Sequence, residues 1–348
     1  MTERRTWVEV IRYGGDRPVD QDVPVVDAAE LIGHMVQSEL AITESVTPAL
    51  ARCLKLAADR LGVPPSAYAA FVYPAPVPQA SCFIVSPERC IVRFSSGLIE
   101  LLEPAELCFV AGHELGHFVY QHGRVDGDST DVDLLRQRRA QEISVDRAGM
   151  LAADSLESAL AAIVKLVSGL GGRHLRFDIV SFLSQLDAAT PSLIVAGQSH
   201  PSLLVRARAL LWFSMIDWRA SKSSATAVEQ LRKLDDKIAR DIVRFIDEPV
   251  DEILRTVQEE LSLWTTVHRL VRSGSFSRAQ QQLFAGQFGA ELLTKIVSYL
   301  QDKDTPELLE WADGHLAQST ARVVRIVPGR QRAMELAAGL AADAVLAN

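Results

Sequence analysis

An α+β fold, mostly helical, is what the sequence predicts: a small sheet, a long helix behind it, and an all-α C-terminal region. Three observations carry this expectation. Apart from one alternating run at the start, β-rich segments are confined to residues 68–96. Every periodic segment after them spaces its apolar residues as one face of a helix. The chain has 348 residues, 48% hydrophobic and 23% charged, which is enough for two cores.

The elements follow in order. "TWVEVIRY" (6–13) alternates as a strand, and "VVDAAELIGHMVQSEL" (25–40) and "TPALARCLKLAADRLG" (47–62) read as amphipathic helices. The second has Thr47 as N-cap, Pro48 at its first position and Gly62 beyond its end. "YAAFVYPA" and "ASCFIVSPERCIVRFSS" supply strands, with "SPER" as a hairpin connection. After the short helix "SSGLIELL" (95–102), "EPAELCFVAGHELGHFVYQHG" starts at Pro104 with acidic residues in its first turn and stops at Gly123. The polar stretch 124–133 is expected as a surface loop, and "LLRQRRAQEISVDRAGMLAA" (134–153) as the next helix. Helical patterns continue over 156–172, 177–189 and 201–218.

The Ser/Ala/Lys-rich bridge "RASKSSATA" marks a linker at 219–227. The expected organisation is therefore 1–44, an N-terminal strand and helix leading into the core; 45–218, the main domain; and 228–348, five or six helices. His268 and His315 each stand alone in that tail and read as surface or satisfied core residues.

Composition narrows the function. A net charge of −8 argues against nucleic acid or anionic lipid as the main partner. The most apolar window, 148–170, is interrupted by Asp154, Glu157 and Lys165, so no membrane span is expected. "MTERRTWVEVIRYGG" has no apolar stretch or cleavage site of a secretory signal, and a cytoplasmic location is expected. Cys53, Cys82, Cys90 and Cys108 lack metal-finger spacing and read as reduced, buried thiols, with a Cys82–Cys90 disulfide as the alternative. There is no internal repeat and no low-complexity segment.

The chemistry lies in "GHELGH". His113 and His117 are four residues apart and project from one helix face, so both imidazoles can reach one Zn²⁺. Glu114 sits about 100° round the helix from His113, beside the metal, where it can take a proton from metal-bound water. Catalytic zinc keeps three protein ligands, and "AQEISVDRAG" offers Glu142 as the third, with Asp146 one turn on to fix the tautomer of a ligating histidine. A solvated face pairing with Arg138, Arg139 or Arg147 is the alternative for these two carboxylates. His122, five residues after His117, is rotated off the ligand face and reads as a helix-end cap.

With these residues in view, the sequence resembles the HtpX-like zinc metallopeptidases, gluzincins that include the CAAX prenyl endopeptidases. The resemblance runs over roughly residues 45–212 and rests on the helix and hairpin, "SSGLIELLEPAELCFVAGHELGH", "QEISVDRAG" and "SHPSLLVRARAL". It implies a zincin-like peptidase domain at 45–218, with one Zn²⁺ per chain on His113, His117 and Glu142, Glu114 as general base, and Asp146 behind a ligand. It also implies that His200 approaches the substrate carbonyl and that Arg206 supports the active-site carboxylate or the substrate. The chain departs from the family at Ser81, Cys82 and Phe83, where Asn-Ala-Phe is common, and at Val145, where alanine is usual. It also lacks the transmembrane helices of many members. The implied partner is a protein or peptide substrate. A second reading stays open: a latent or inactive metallopeptidase-like protein acting as a regulatory or interaction module, or restrained by its own C-terminal helices. A structural metal site is disfavoured because the cysteines are not spaced for four-ligand closure.

Overall fold

The computed structural model describes residues 8–16, 27–123, 132–176, 178–188, 202–217, 225–327 and 330–347. The chain divides into two compact units, Met1–Gly127 with Arg136–Ile246, and Asp128–Leu135 with Asp247–Asn348. The class is α+β and mostly helical, as the sequence predicts.

In the first unit, α1 (Ala28–Ser38) leads into β1 (Leu40–Ala41) and α2 (Pro48–Leu61). Pro48 occupies the first turn of α2, and Gly62 ends it at φ 72°, a left-handed conformation that favours glycine. Strands β2 (Tyr68–Tyr73), β3 (Ala80–Ser86) and β4 (Arg89–Ser95) complete a sheet of order β1-β2-β4-β3. β2 runs parallel to β4, and β3 antiparallel to it with Cys82 opposite Val92. β3 is therefore an edge strand.

Helices α3 (Ser96–Leu101) and α4 (Pro104–Val119) follow. A reciprocal capping box of Glu103 and Glu106 fixes the start of α4, and the same Glu106 carboxylate accepts from Lys165 Nζ at 2.7 Å. Leu107, Phe109, Leu115 and Phe118 of α4 join Leu54 and Leu61 of α2 and Phe94 of β4 in the main core. Burying a side chain of this size contributes about 1.5–3 kcal/mol. One face of α4 is thereby anchored.

Another face of α4 meets α5 (Val132–Ala153) at close range. A Cβ on Gly112 would come within 2.2 Å of Ala152 Cβ, and one on Gly149 within 2.7 Å of the Phe109 carbonyl oxygen. Only hydrogen fits at either place. Helices α6 (Leu156–Ser168), α7 (Ile179–Leu183) and α8 (Leu203–Ser214) close the layer, α8 packing on α6.

Two parts of this unit differ from expectation. Residues 8–11 are helical where the sequence alternates as a strand. Val8 and Ile11, three apart, are both fully buried, so the helical spacing governs. The linker expected at 219–227 falls mostly outside the described residues, and the helix after it, α9 (Ala225–Ile242), packs inside the first unit. Leu231, Leu234, Ile238 and Ile242 of α9 bury with Ile143, Val205 and Phe213, and Arg147 Nη2 donates to Asp235 Oδ1 at 2.6 Å.

The second unit holds α10 (Glu248–Ser273), α11 (Arg278–Phe288), α12 (Ala290–Asp302), α13 (Thr305–Ile326) and α14 (Gln331–Leu346). Val267, Leu270, Phe284, Ile296, Ala312 and Val345 form its core. His315 stacks on Trp264 at 3.9 Å and His268 Nε2 lies 2.9 Å from Asp313, so both tail histidines have partners there. No helix among the described residues is long and apolar enough to cross a membrane. All four cysteines are free thiols, and Cys53 Sγ on α2 lies 2.8 Å from Cys108 Sγ on α4.

The crossing of α4 and α5 gives a stability test. Gly112→Val is expected to cost about 1–3 kcal/mol or more by overpacking. Gly33→Ala in α1, where an added Cβ meets nothing within 4 Å, is expected to leave stability unchanged or to raise it by up to about 1 kcal/mol. Thermal and urea unfolding of the two variants would check the contrast.

Candidate metal centre

The spacing of His113 and His117 puts their rings one turn apart on α4, with centroids 5.1 Å apart and planes at 75°. Glu142 projects from α5 between them: His113 Nε2 is 3.6 Å from Glu142 Oε2, and His117 Nε2 is 3.6 Å from Glu142 Oε1. One donor atom from each of the three lies within 4.8 Å of the others, a group able to hold a metal ion.

The opposite ring nitrogens are occupied elsewhere. His113 Nδ1 is 3.0 Å from Asp146 Oδ1, and His117 Nδ1 is 3.1 Å from Nδ1 of His122. A hydrogen on each Nδ1 leaves both Nε2 lone pairs directed at Glu142, as a metal site needs. The His122 N–H donates to the His117 carbonyl at 2.9 Å, so the residue caps the helix end as expected, and its ring also meets the His117 ring. The helix stops at Val119, Gln121 takes φ 53°, and the chain turns back, bringing His122 beside His117.

Arg206 of α8 ties the carboxylates together. Its Nε and Nη2 donate to Asp146 at 2.7 and 2.6 Å, and its Nη1 lies 3.1 Å from Glu142 Oε2. Burial alone would raise the Asp146 pKa, but Arg206 and His113 outweigh it and hold the group down to about 2. At His113, burial favours the neutral ring, and the Asp146 hydrogen bond with the charges of Glu142 and Asp146 overcomes it and raises the pKa. Glu114 is 8% exposed, and burial pushes its carboxyl up to about 7, with Glu142 adding to the rise and His113 and Arg206 opposing it. Three buried carboxyl groups thus face one guanidinium. The excess negative charge fits a divalent cation, and the two imidazoles favour a borderline metal over a hard one.

All the expected metal ligands, Glu114, Asp146 and Arg206 come together. His200 lies outside the described residues, as does Pro201. Sequence reasoning missed Asp16, whose Oδ2 is 3.0 Å from His122 Nε2 across 106 residues of chain. No local spacing signals a contact of that range; the cue would have been that a metal-bound His117 needs an acceptor at Nδ1.

Comparison with known proteins agrees with this geometry. Residues 44–135, which contain His113, Glu114 and His117, match the family model described as Peptidase family M48. Those residues are thus similar to a peptidase family, and the resemblance read from the motifs is borne out at that level. A curated relative from Arabidopsis thaliana, described as plastoglobule-localized metallopeptidase 48, chloroplastic, is 26% identical over 196 residues. That alignment covers 47% of this chain and 57% of the relative. The chain thus spans little more than half the length of the relative. No solved structure matches the chain.

The buried Glu114 carboxyl gives a pH test in metal-free protein. Its folded-state pKa lies above the ordinary 4.5, so folding favours the protonated form. Its effect is harmless at low pH and becomes destabilising as pH rises from the ordinary value through about 7. Glu114→Gln is expected to stabilise the chelated protein on the order of 3 kcal/mol at alkaline pH and to make no difference in acid below the ordinary value. Urea unfolding of both proteins across the range would check it.

Proposed function

We propose that the chain is a zinc-dependent metalloendopeptidase, and the observation that carries this is the convergence of His113 Nε2, His117 Nε2 and the Glu142 carboxylate. These three residues would hold one Zn²⁺. When bound, the metal supplies an acidified water and polarises the scissile carbonyl.

The chain's own groups do the rest. Glu114 is the neighbour of a ligand on α4, and its raised pKa suits a group that accepts the proton of the attacking water and then returns it to the leaving amine. Arg206 and Asp146 act on orientation, Asp146 holding His113 by Nδ1 and Arg206 holding both Asp146 and Glu142. By the family resemblance, His200 faces the substrate carbonyl. The edge position of β3 suits an extended peptide that adds to the sheet by backbone hydrogen bonds, with Ser81, Cys82 and Phe83 on the strand it would join.

The test is direct. Purified protein is expected to hold close to one zinc per chain and to cleave an unstructured protein substrate. Glu114→Gln is expected to keep the metal and lose about 10²–10⁴ of the rate. Wild-type protein that holds no metal under non-chelating conditions would overturn the proposal.

A further inference from the structure

The environment of Asp16 has one polarity. Asp16 is 4% exposed, and both of its oxygens receive donors: Arg12 Nε at 3.0 Å on Oδ2, and Arg12 Nη2 and Gln137 Nε2, each at 3.2 Å, on Oδ1. Burial would raise its pKa, yet the hydrogen bonds it accepts from His122, Arg12 and Ser144 hold it below the ordinary value. An ionised carboxylate only accepts, so His122 Nε2, at 3.0 Å, is a donor as well.

The consequence passes along the chain of rings. A neutral His122 with its hydrogen on Nε2 has an acceptor at Nδ1, and the atom 3.1 Å away, His117 Nδ1, must then donate. That leaves the lone pair of His117 on Nε2, the atom that faces Glu142. A doubly protonated His122 would reverse this order, put the His117 hydrogen on Nε2, and block the ligand position. Further hydrogen bonds hold the segment bearing Asp16 in place, among them that of the Gly14 N–H to Asp235 Oδ2 at 2.9 Å. Arg147 Nη1 donates to the Ile11 carbonyl at 3.0 Å, the Tyr13 N–H to Ser144 Oγ at 3.1 Å, and Tyr120 Oη to the Val8 carbonyl at 2.7 Å.

We propose that Asp16 and His122 are positioning residues that act as a relay to hold His117 in the tautomer a metal ligand requires, the counterpart of Asp146 at His113. The role rests on the metal-centre reading above. Both residues are buried and act through His117. The centre then draws on α4, α5, α8 and the segment that precedes α1, and this last support lies ahead of the residues that match the peptidase family.

Two measurements test the relay. Long-range proton–nitrogen spectra of the histidines in the metal-free full chain report tautomers directly, and are expected to show His117 protonated on Nδ1 and His122 on Nε2. Zinc affinity, read by competition with a chromophoric chelator, is expected to fall about 10–100-fold in His122→Leu. It should recover largely in His122→Asn, whose amide oxygen can replace the Nδ1 acceptor, and should fall by a smaller factor in Asp16→Asn. Adding Asp16→Asn to His122→Leu is expected to cost nothing more, because the carboxylate acts only through the imidazole.

Losses that multiply in the double variant, or a wild-type spectrum with His122 protonated on Nδ1, would overturn the relay. So would zinc-binding wild-type protein whose His122→Leu form binds within about twofold as tightly. Wild-type protein that takes up no zinc overturns the metal-centre reading itself, which keeps the two failures apart. If Asp16→Asn does not fold, the wild-type spectrum and the His122 pair still decide.

Discussion

The distance between α4 and α5 is the constraint on which the candidate site depends. Gly112, Gly116, Ala148, Gly149 and Ala152 strip both helices to near-bare backbone where they meet, and added Cβ atoms at the three glycines would meet neighbours at 2.2 to 3.0 Å. That closeness brings the Glu142 carboxylate within 3.6 Å of two imidazoles on the other helix. A larger residue at the crossing would separate the carboxylate from the rings even with every proposed ligand unchanged. The small residues therefore set the geometry of the candidate site as much as the histidines do.

Charge is handled with similar economy of parts. A buried ion pair is weak support for stability, since desolvation consumes most of its attraction. Here one guanidinium serves two carboxylates, Asp146 and Glu142, and leaves the cluster short of positive charge. An arrangement that is electrostatically unfinished suits cation binding better than it suits a rigid core. Lys165 and Glu106, a buried pair at 2.7 Å near the start of α4, form a balanced counterexample.

The sequence made legible whatever depends on a helical repeat or a turn. The four-residue spacing of His113 and His117, the caps of α2 and α4 and the hairpin through Pro87 and Glu88 all have local causes. Glu142 and Asp146 were readable because they recur one turn apart on the next helix, and Arg206 through resemblance. Residues 8–11 misled because a short apolar run satisfies strand and helix periods at once, and only the burial of Val8 and Ile11 separates them. His122 was legible as a cap, but its ring contact with His117 was not, because the helix ends at Val119 and the left-handed Gln121 turns the chain back. Asp16 was invisible because its partner is 106 residues away.

The order of these parts along the chain is also an order in time. Asp16 emerges first during synthesis, then the α4 histidines, then Glu142 and Asp146, and Arg206 last. Since chains are made at about 5–20 residues per second, the rings and carboxylates exist for several seconds before the guanidinium that orients them. A nascent chain that ends before α8 carries the whole His-Glu-x-x-His motif with its carboxylates unneutralised and unaligned. The fold thus withholds the assembled cluster from every translation product that ends before Arg206.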